Sequence, residues 1–256
     1  MGAQPQLQLQ PEPIAWPLAL RVAFRFCFAY LALYSATTQI LQGLLPLPFL
    51  ELPDLGGLPP VRPLVMWVAA HVFGVKTPLI YSGSGSGDKT FDWVLAFCVL
   101  VAAVAGTCVW SVLDRKRPNY ASLYKWLHLF VRVAVGSEFI LYGMSKVVPL
   151  QMPYPFLAKL VEPFGSFSPM GMLWSSIGAS PAYEVFVGLA ETVGGVLLLI
   201  PRTALLGSLI CLADAIEVFV LNMTYDVPVK LFSFHLVLMT VFLLAPEMRR
   251  LAGFFQ

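Results

Sequence analysis

Residues 182–224, AYEVFVGLAETVGGVLLLIPRTALLGSLICLADAIEVFVLNMT, contain two apolar segments, 182–200 and 203–224, on either side of Pro201 and Arg202. A bilayer core about 30 Å thick is crossed by a helix of roughly 20 consecutive apolar residues. Proline disrupts helix interiors but is accepted in the first turn, so a proline between the segments marks a helix boundary. This stretch therefore predicts two membrane-spanning helices joined by a short turn.

The composition of the whole chain points to the same class. Of its 256 residues, 58% are hydrophobic and only 12% are Asp, Glu, Lys or Arg, whereas an ordinary soluble domain has roughly 25% charged residues. A soluble globule with so few polar residues could not cover its surface. A net charge of +2 is also too small to indicate a nucleic-acid partner. The sequence therefore predicts an all-α, polytopic membrane protein that lies in a lipid bilayer.

Six segments are long and apolar enough to be predicted as spans. They comprise residues 14–41, 91–113, 123–147, 182–200, 203–224 and 227–244. The preceding segment 1–13 is rich in Gln and Pro and lacks the basic region of a secretory signal, so it is predicted to be a disordered cytoplasmic tail. We expect a two-span region over 14–122 and a four-helix membrane domain over 123–256.

Two long connections interrupt the spans. The first, 46–90, contains the apolar segment Leu64–Val75, which is too short to span and is predicted to form a helix at the membrane interface. It also contains SGSGSGD at 82–88, which indicates a flexible linker or a structural turn. The second connection, 148–180, is predicted to form short interfacial helices.

The distribution of basic residues predicts the orientation. Lys and Arg accumulate in short loops on the cytoplasmic side of membrane proteins. Six crossings with both termini inside place these basic residues on that side: Arg21, Arg25, Arg115, Lys116, Arg117, Lys125, Arg202, Arg249 and Arg250. We therefore expect a multi-pass protein of the cytoplasmic (inner) membrane, with both termini in the cytoplasm and both long connections outside.

Ionisable residues inside the last four spans form a further pattern. At about 1.5 Å of rise per residue, six of them fall at similar depth near the membrane midplane. They are Arg132, Glu138, Glu191, Asp214, Glu217 and His235. Ionisable groups are costly in hydrocarbon, so they are functional candidates by default. The arginine and the four acids are therefore our candidate catalytic residues, with proton handling as their predicted role.

The charge balance of this polar layer leaves two interpretations open. Arg132 is the only permanent cation assigned to the layer, and one arginine cannot neutralise four carboxylates in a low dielectric. Some of the acids are therefore expected to carry a proton. The layer is either a structural network, in which Arg132 bridges one or two acids, or a proton-handling site coupled to redox chemistry or to transport.

Small residues on the same helices predict close packing. Gly188, Gly194 and Gly195 lie on the fourth span, and Gly207 and Ser208 lie on the fifth. Small side chains let helix backbones approach one another in a membrane. The last four spans are therefore predicted to form one bundle with a polar interior.

Haem and metal sites are disfavoured by the sequence. A bis-histidine haem needs two histidines at matching depth, whereas His128 lies roughly 12 Å shallower than His235 by helix rise. A carboxylate di-metal site needs a Glu-x-x-His pattern, which the sequence lacks. Asp214, Glu217 and His235 could hold one metal ion, but a hydrogen-bonded core histidine is the better interpretation.

A second polar cluster is predicted near the outer boundary of the bundle. Its candidate ligand-binding residues, with His235 added from the layer, are Tyr142, Lys146, Trp174, Asn222, Tyr225, Asp226 and Lys230. These aromatic, amide and charged side chains could bind the head group of a quinone or a lipid. They could equally be the ordinary aromatic and basic belt of a membrane interface. Asp226 is expected to pair with Lys146 or Lys230.

Short motifs in the last half of the chain resemble a known family. Arg132 followed by G-x-x-K at 143–146, E-x-x-G-G-x-L-L-L at 191–199 and R-T-A at 202–204 resemble the pattern of DoxX-like membrane proteins. SGSGSGD, SPM-x-x-LW and N-x-x-YDVPVK resemble a longer bacterial subgroup with two additional N-terminal spans. The resemblance implies a four-helix membrane bundle over 123–256. It also implies a redox neighbourhood, because the family takes its name from a subunit of an archaeal quinone-linked oxidoreductase.

These observations together predict a quinone- or redox-linked membrane subunit of DoxX-like type. The polar layer would handle protons, the outer cluster would hold a quinone, and the chain would be an accessory subunit of an oxidoreductase. A redox enzyme or a second copy of the chain is the candidate partner. Two alternatives stay open: a transporter of a small solute or of protons, and a non-catalytic partner or assembly protein that acts through its outer loops.

Overall fold

The computed structural model describes residues 15–44, 55–82 and 86–253, and within these ranges the protein is all-helical, with no strand. The longer helices, numbered in chain order, are α1 (Leu18–Thr37), α2 (Val61–His71), α3 (Thr90–Leu113), α4 (Ala121–Val147), α5 (Pro169–Gly178), α6 (Pro181–Leu199), α7 (Ala204–Thr224) and α8 (Lys230–Leu244). Shorter helical segments are Ile40–Gly43, Leu55–Gly57, Leu157–Leu160, Phe164–Ser166, Ala245–Glu247 and Met248–Ala252. The expected disordered tail, 1–13, lies outside the described residues.

Among the described residues, six helices are long and apolar enough to cross a membrane. They are α1, α3, α4, α6, α7, and α8 together with the residues that follow it to Ala252. Each lies within a few residues of a segment predicted from the sequence. The predicted fold class, an all-α polytopic membrane protein, is therefore confirmed.

Local sequence signals explain where several helices begin. Pro181 occupies the first turn of α6, where its missing N–H removes no helical hydrogen bond. Ser168 precedes α5, and its hydroxyl oxygen accepts a hydrogen bond of 3.0 Å from the N–H of Gly171. At the start of α3, the N–H of Lys89 donates to the carboxylate of Asp92 at 3.0 Å.

The short helices of the two connections differ in part from the prediction. The apolar segment predicted at 64–75 corresponds to α2, which begins three residues earlier, at Val61. Pro63 lies in the first turn of this helix, where proline is tolerated. The helix ends at His71, three residues before Gly74, whose φ of 65° does not fit a right-handed helix. The second connection forms α5 and two shorter segments, and it exposes Leu157 and Val161, each 82% exposed. Exposed apolar side chains of this kind are typical of a segment at a membrane interface.

The last four long helices form a bundle, and α1 to α3 lie beside it. In the bundle, α4 packs on α6, α6 on α7, α7 on α8, and α8 returns to α4. Beside it, both α1 and α2 pack on α3. The rings of Tyr30 and Tyr34 in α1 stack on His235 of α8, which joins the two groups of helices.

The two ends of the bundle differ in chemistry. One end, here the basic end, carries the turns at 114–120 and 200–203, and the guanidinium of Arg21 donates to two backbone carbonyls of the first turn, at 3.2 and 2.9 Å. The other end, here the loop end, carries the connections 148–180 and 225–229. The basic residues that the sequence assigns to one side of the membrane therefore share one end of the protein.

Pairs of glycines bring α4 and α6 into backbone contact. A Cβ atom on Gly143 of α4 would lie 2.7 Å from the carbonyl oxygen of Gly188 in α6. A Cβ atom on Gly195 of α6 would lie 2.7 Å from the carbonyl oxygen of Gly136 in α4. The two positions on each helix are seven residues apart and share a face, so the helices pack antiparallel with one glycine pair every two turns. The close packing predicted from the small residues is confirmed.

The end of the SGSGSGD stretch stabilises the start of α8. The two carboxylate oxygens of Asp88 accept hydrogen bonds from the N–H groups of Lys230 and Leu231, at 2.8 and 2.9 Å. The first N–H groups of a helix have no partner within the helix, and an acid there also interacts favourably with the helix dipole. Asp88 and Gly87, whose N–H donates to Pro228, therefore form a structural turn rather than a free linker. Residues 83–85 lie outside the described part of the stretch.

We expect a Gly143→Ala substitution to lower the free energy of unfolding by about 1–3 kcal/mol, because the added methyl must push two backbones apart. The measurement is thermal or denaturant unfolding in detergent. Gly106→Ala in α3 is the matched control, since a Cβ there would meet no atom within 4 Å. That control should be neutral or slightly stabilising, since alanine favours helix over glycine by up to about 1 kcal/mol. Equal effects of the two substitutions would contradict the packing account.

Candidate functional site

A cavity of about 290 Å³ lies inside the bundle toward its loop end. The walls come from α4, α6, α7 and α8, and α5 covers it from the second connection. Most of its lining is apolar, and a limited set of polar side chains converges on it. They are Glu138, Tyr142, Lys146, Gln151, Trp174, Ser176, Tyr183, Glu191, Glu217, Asn222 and Ser233. An apolar cavity with a few convergent polar groups is typical of a small-molecule binding site.

A buried ion pair between Lys146 and Glu191 lies in the wall of this cavity. The ammonium nitrogen of Lys146 lies 2.8 and 2.6 Å from the two carboxylate oxygens of Glu191. The two side chains are only 8% and 4% exposed. The prediction that Arg132 is the only cation of the polar layer is wrong, because Lys146 extends inward to Glu191. Each charge supplies the counter-charge that the other needs in a low dielectric.

The glycine contact between α4 and α6 explains why this lysine reaches α6. A Cβ atom on Gly188 would lie 2.7 Å from the Cβ of Lys146, so the missing side chain leaves room for the lysine stem. Glu191 follows Gly188 by three residues and therefore lies on the same face of α6. The Lys146–Glu191 ion pair therefore depends both on the missing side chain at Gly188 and on the position of Glu191 on the same face of α6.

Glu138 is the one acid in this cavity wall that is buried and has no partner among the described residues. It is 1% exposed, and neither carboxyl oxygen has a hydrogen-bond partner there. Its carboxyl group lies against Gly43 in the short helix after α1, where any Cβ atom would overlap it. Nearly all buried polar groups in proteins are hydrogen-bonded. Glu138 is therefore an exception to this rule among the described residues of the cavity wall.

Glu138, Tyr142 and Lys146 form one row along α4. They are spaced four residues apart, which places them on successive turns of a single helix face. The hydroxyl oxygen of Tyr142 accepts a hydrogen bond of 2.7 Å from the side-chain amide of Gln39, at the end of α1. This row joins the predicted polar layer to the predicted outer cluster, which sequence analysis treated as two sites.

Two other predicted rim residues also line the cavity. The indole N–H of Trp174 donates to the backbone carbonyl of Gln151 at 3.0 Å. Asn222 is 4% exposed, and its side-chain amide donates to the hydroxyl oxygen of Ser233 at 3.0 Å. The structure therefore brings Tyr142, Lys146, Trp174 and Asn222 together around one space.

The remaining rim residues lie outside the cavity wall, in or next to the turn between α7 and α8. Lys230 and Asp226 form the predicted ion pair, at 2.7 Å, and this part of the prediction is confirmed. Asp226 is 80% exposed at its side chain, so the pair contributes at most about 1 kcal/mol. Tyr225 is partly buried at the end of α7. These three side chains belong to the surface of the loop end.

Some residues of the predicted polar layer line the cavity, and others lie outside its wall. Glu217 of α7 and Tyr183 of α6 line the cavity and are also exposed, so they mark an opening between these helices toward the bilayer. Arg132 and Asp214 are partly buried and do not line the cavity. Among the described residues Arg132 forms no ion pair, so the bridging of acids by this arginine, which was one of the two interpretations of the layer, is not found there.

His235 is a core histidine that contacts α1. It is 2% exposed, and its two ring nitrogens lie 2.7 Å from the hydroxyl of Tyr30 and 2.7 Å from the carbonyl oxygen of Leu231. The ring of Tyr34 stacks on it with centroids 3.6 Å apart. In the described ranges, no three His, Cys, Asp or Glu side chains gather as metal ligands.

A second cavity, of about 360 Å³, adjoins the first. It lies between α1, α3 and the start of α8, and it has a more polar lining that includes the Lys89–Asp92 ion pair. Three residues, Tyr142, Val229 and Phe232, line both cavities. The two cavities are therefore adjacent and share these three side chains as part of their walls.

Three further residues contribute to the site, and two of them, Gln39 and Gly43, carry no signal in the sequence that marks them as site residues. Gln39 and Gly43 lie next to each other in space around the α4 row, although more than ninety positions separate them from it in the chain. Glu184, which is 1% exposed, accepts a hydrogen bond of 3.0 Å from the N–H of Met152 and so fixes the connection over the cavity. Glu184 lies seven residues before Glu191, and this spacing, which places both acids on one face of α6, is a signal that the sequence itself contains.

The chain is 31% identical over 134 residues to the uncharacterized protein YwoB of Bacillus subtilis (strain 168), and the match covers 49% of this chain and 79% of YwoB. No model of a known protein family matches the sequence. No solved structure matches it either. The integral membrane protein described here therefore belongs to the same family as YwoB.

Proposed function

We propose that this membrane protein is a DoxX-like, redox-linked subunit that binds a quinone-type ligand in the cavity of its bundle. The observation that carries the proposal is the convergence of the Lys146–Glu191 pair and the unpartnered Glu138 on one largely apolar cavity. The sequence resemblance to DoxX-like proteins supports the redox assignment. A partner oxidoreductase would exchange electrons with the bound ligand.

The shape of the cavity supports a ligand with a polar ring and an apolar tail. The ring would lie among the polar side chains of the α4 row. The tail would leave between α6 and α7, where Glu217 and Tyr183 mark the opening. A lipophilic ligand can reach such an opening from the bilayer without crossing water.

The acids of the cavity are suited to exchange protons with such a ligand. Reduction of a quinone adds two protons to its oxygens, and oxidation of the quinol removes them. Glu138 and Glu191 lie in the cavity wall, and Glu217 lies at its opening. We assign proton exchange to these three acids, whereas Arg132 and Asp214 would act from outside the wall.

We expect Lys146 and Glu191 to behave as one unit in unfolding experiments. Lys146→Met or Glu191→Leu alone leaves a buried charge without its partner, which should cost about 3–5 kcal/mol. The double variant replaces the pair by apolar side chains and should recover most of that loss. The measurement is a double-mutant cycle of unfolding free energies in detergent. Additive losses in the double variant would show that the two groups do not act as a pair.

Quenching of Trp174 fluorescence tests ligand binding, because its ring lines the cavity. We expect a short-tailed benzoquinone to quench the purified protein saturably, and Trp174→Phe to remove that component. The double variant Lys146→Met/Glu191→Leu should raise the apparent Kd about tenfold, the effect of one lost hydrogen bond to a charged group.

The matched control for this experiment is Lys159→Met/Glu162→Leu. It removes an ion pair of 2.6 Å at the same end of the protein but outside the cavity wall. Its quenching curve should match that of the unmodified protein. An unsaturable signal, or one that is equal in all variants, would rule out the cavity as a quinone site.

A transporter for a small solute or for protons is the second candidate. It is favoured by the polar second cavity, which shares Tyr142, Val229 and Phe232 with the first and could supply a water-soluble substrate. This function predicts a pH-dependent flux in liposomes that Glu191→Gln abolishes. Absence of flux in liposomes, together with saturable quinone binding, would favour the redox function.

A further inference from the structure

Several hydrogen-bond donors around the cavity already have acceptors within the protein. The indole N–H of Trp174 donates to a backbone carbonyl, and the amide of Asn222 donates to the hydroxyl oxygen of Ser233. The hydroxyl of Ser233 in turn donates to a backbone carbonyl one turn earlier, at 3.0 Å. The hydroxyl of Ser176 donates to the carbonyl of Leu173 at 2.9 Å. These side chains offer little donor capacity to a ligand.

The two buried acids of the cavity differ in their acceptor capacity. Both oxygens of Glu191 accept hydrogen bonds from Lys146. Both oxygens of Glu138 lack a partner within the described residues, although this side chain is 1% exposed. Of the two buried acids, Glu138 is therefore the one whose acceptor capacity is unmet among the described residues.

Glu138 lies between the region after α1 and the cavity. Gly43 packs directly on its carboxyl group on the side of α1, and the next residue of the α4 row, Tyr142, receives its hydrogen bond from Gln39. Glu138 itself lines the cavity. A donor that reaches it from this space would satisfy a buried group whose desolvation is otherwise uncompensated.

We propose that Glu138 makes this cavity selective for a ligand that donates a hydrogen bond, so that it binds a hydroquinone in preference to the corresponding quinone. This inference rests on the quinone-type function proposed above. A hydroquinone O–H donates to an ionised carboxylate, and with a protonated carboxyl group it can both donate and accept. A quinone carbonyl only accepts, so it leaves at least one Glu138 oxygen unpaired in either state. A site built around a hydrogen-bonding group rejects ligands that cannot pair with it.

The test uses three probes with one ring and one short alkyl tail: the benzoquinone, its hydroquinone kept under anaerobic conditions, and the dimethyl ether of that hydroquinone. The dimethyl ether has no O–H group and is not reducible by simple electron transfer. Binding to the purified full-length protein is measured by calorimetric titration in detergent. The hydroquinone should bind at least about tenfold more tightly than either of the other probes, a difference of about 1.4 kcal/mol.

Glu138→Met is the diagnostic variant, since it keeps an unbranched side chain and removes both acceptors. The hydroquinone should lose about tenfold in affinity there, and all three probes should bind within about threefold of one another. Glu247→Met is the matched control. Glu247 lies just after the C-terminal end of α8, whereas the cavity lies at the N-terminal end of this helix. This variant should preserve the preference for the hydroquinone.

The outcomes separate this inference from the function on which it rests. Equal binding of quinone and hydroquinone to the unmodified protein overturns the selectivity and leaves the quinone-type site in place. Persistence of the preference in Glu138→Met overturns the role of Glu138, because another group of the protein would then be its source. If none of the probes binds, the proposed function and this inference both fail. The comparison on the unmodified protein decides the selectivity even if Glu138→Met does not fold.

Discussion

The backbone contact between α4 and α6 is the constraint on which the rest of the site depends. Two glycine pairs, Gly136 with Gly195 and Gly143 with Gly188, let the helices approach until a Cβ atom would meet the opposite carbonyl oxygen. Helices in a bilayer gain no hydrophobic driving force from meeting each other, so close van der Waals packing must supply the association energy. The same contact lets the stem of Lys146 cross to α6.

The cavity follows from how the other helices join this pair. Near the basic end, Gly207 of α7 packs on the backbone of Leu197 and Leu198 in α6, which leaves no space between the two helices. Toward the loop end, larger side chains and the connection through α5 surround the cavity instead. The region before α4 completes the wall, since Gly43 packs on Glu138 and Gln39 binds Tyr142. The site therefore belongs to both groups of helices and not to the four-helix bundle alone.

The sequence pattern predicted the membrane-spanning helices well, but it predicted only some of the contacts between them. Hydropathy and proline positions were sufficient for the spans, because a bilayer imposes a fixed length on every crossing. Depth along each helix placed Glu138, Glu191 and Glu217 near one level but could not tell which faces meet. That is why Arg132 was assigned as the cation of the layer, although Lys146 occupies that role. A lysine near a helix end normally extends toward water, and only its position over Gly188 directs it inward.

The sequence by itself determined that this chain is a helical membrane protein with six candidate spans, that the basic residues of its short turns share one side, and that glycines on the last helices permit close packing. These properties depend on composition and on spacing along single helices. Tertiary structure decided that parts of the polar layer and of the outer cluster meet in one cavity, that Lys146 pairs with Glu191, and that Glu138 is left without a partner in the described protein. The physical reason is that these features depend on the rotation and separation of helices. Both are set by contacts between residues such as Gly43 and Glu138, which lie far apart in the chain.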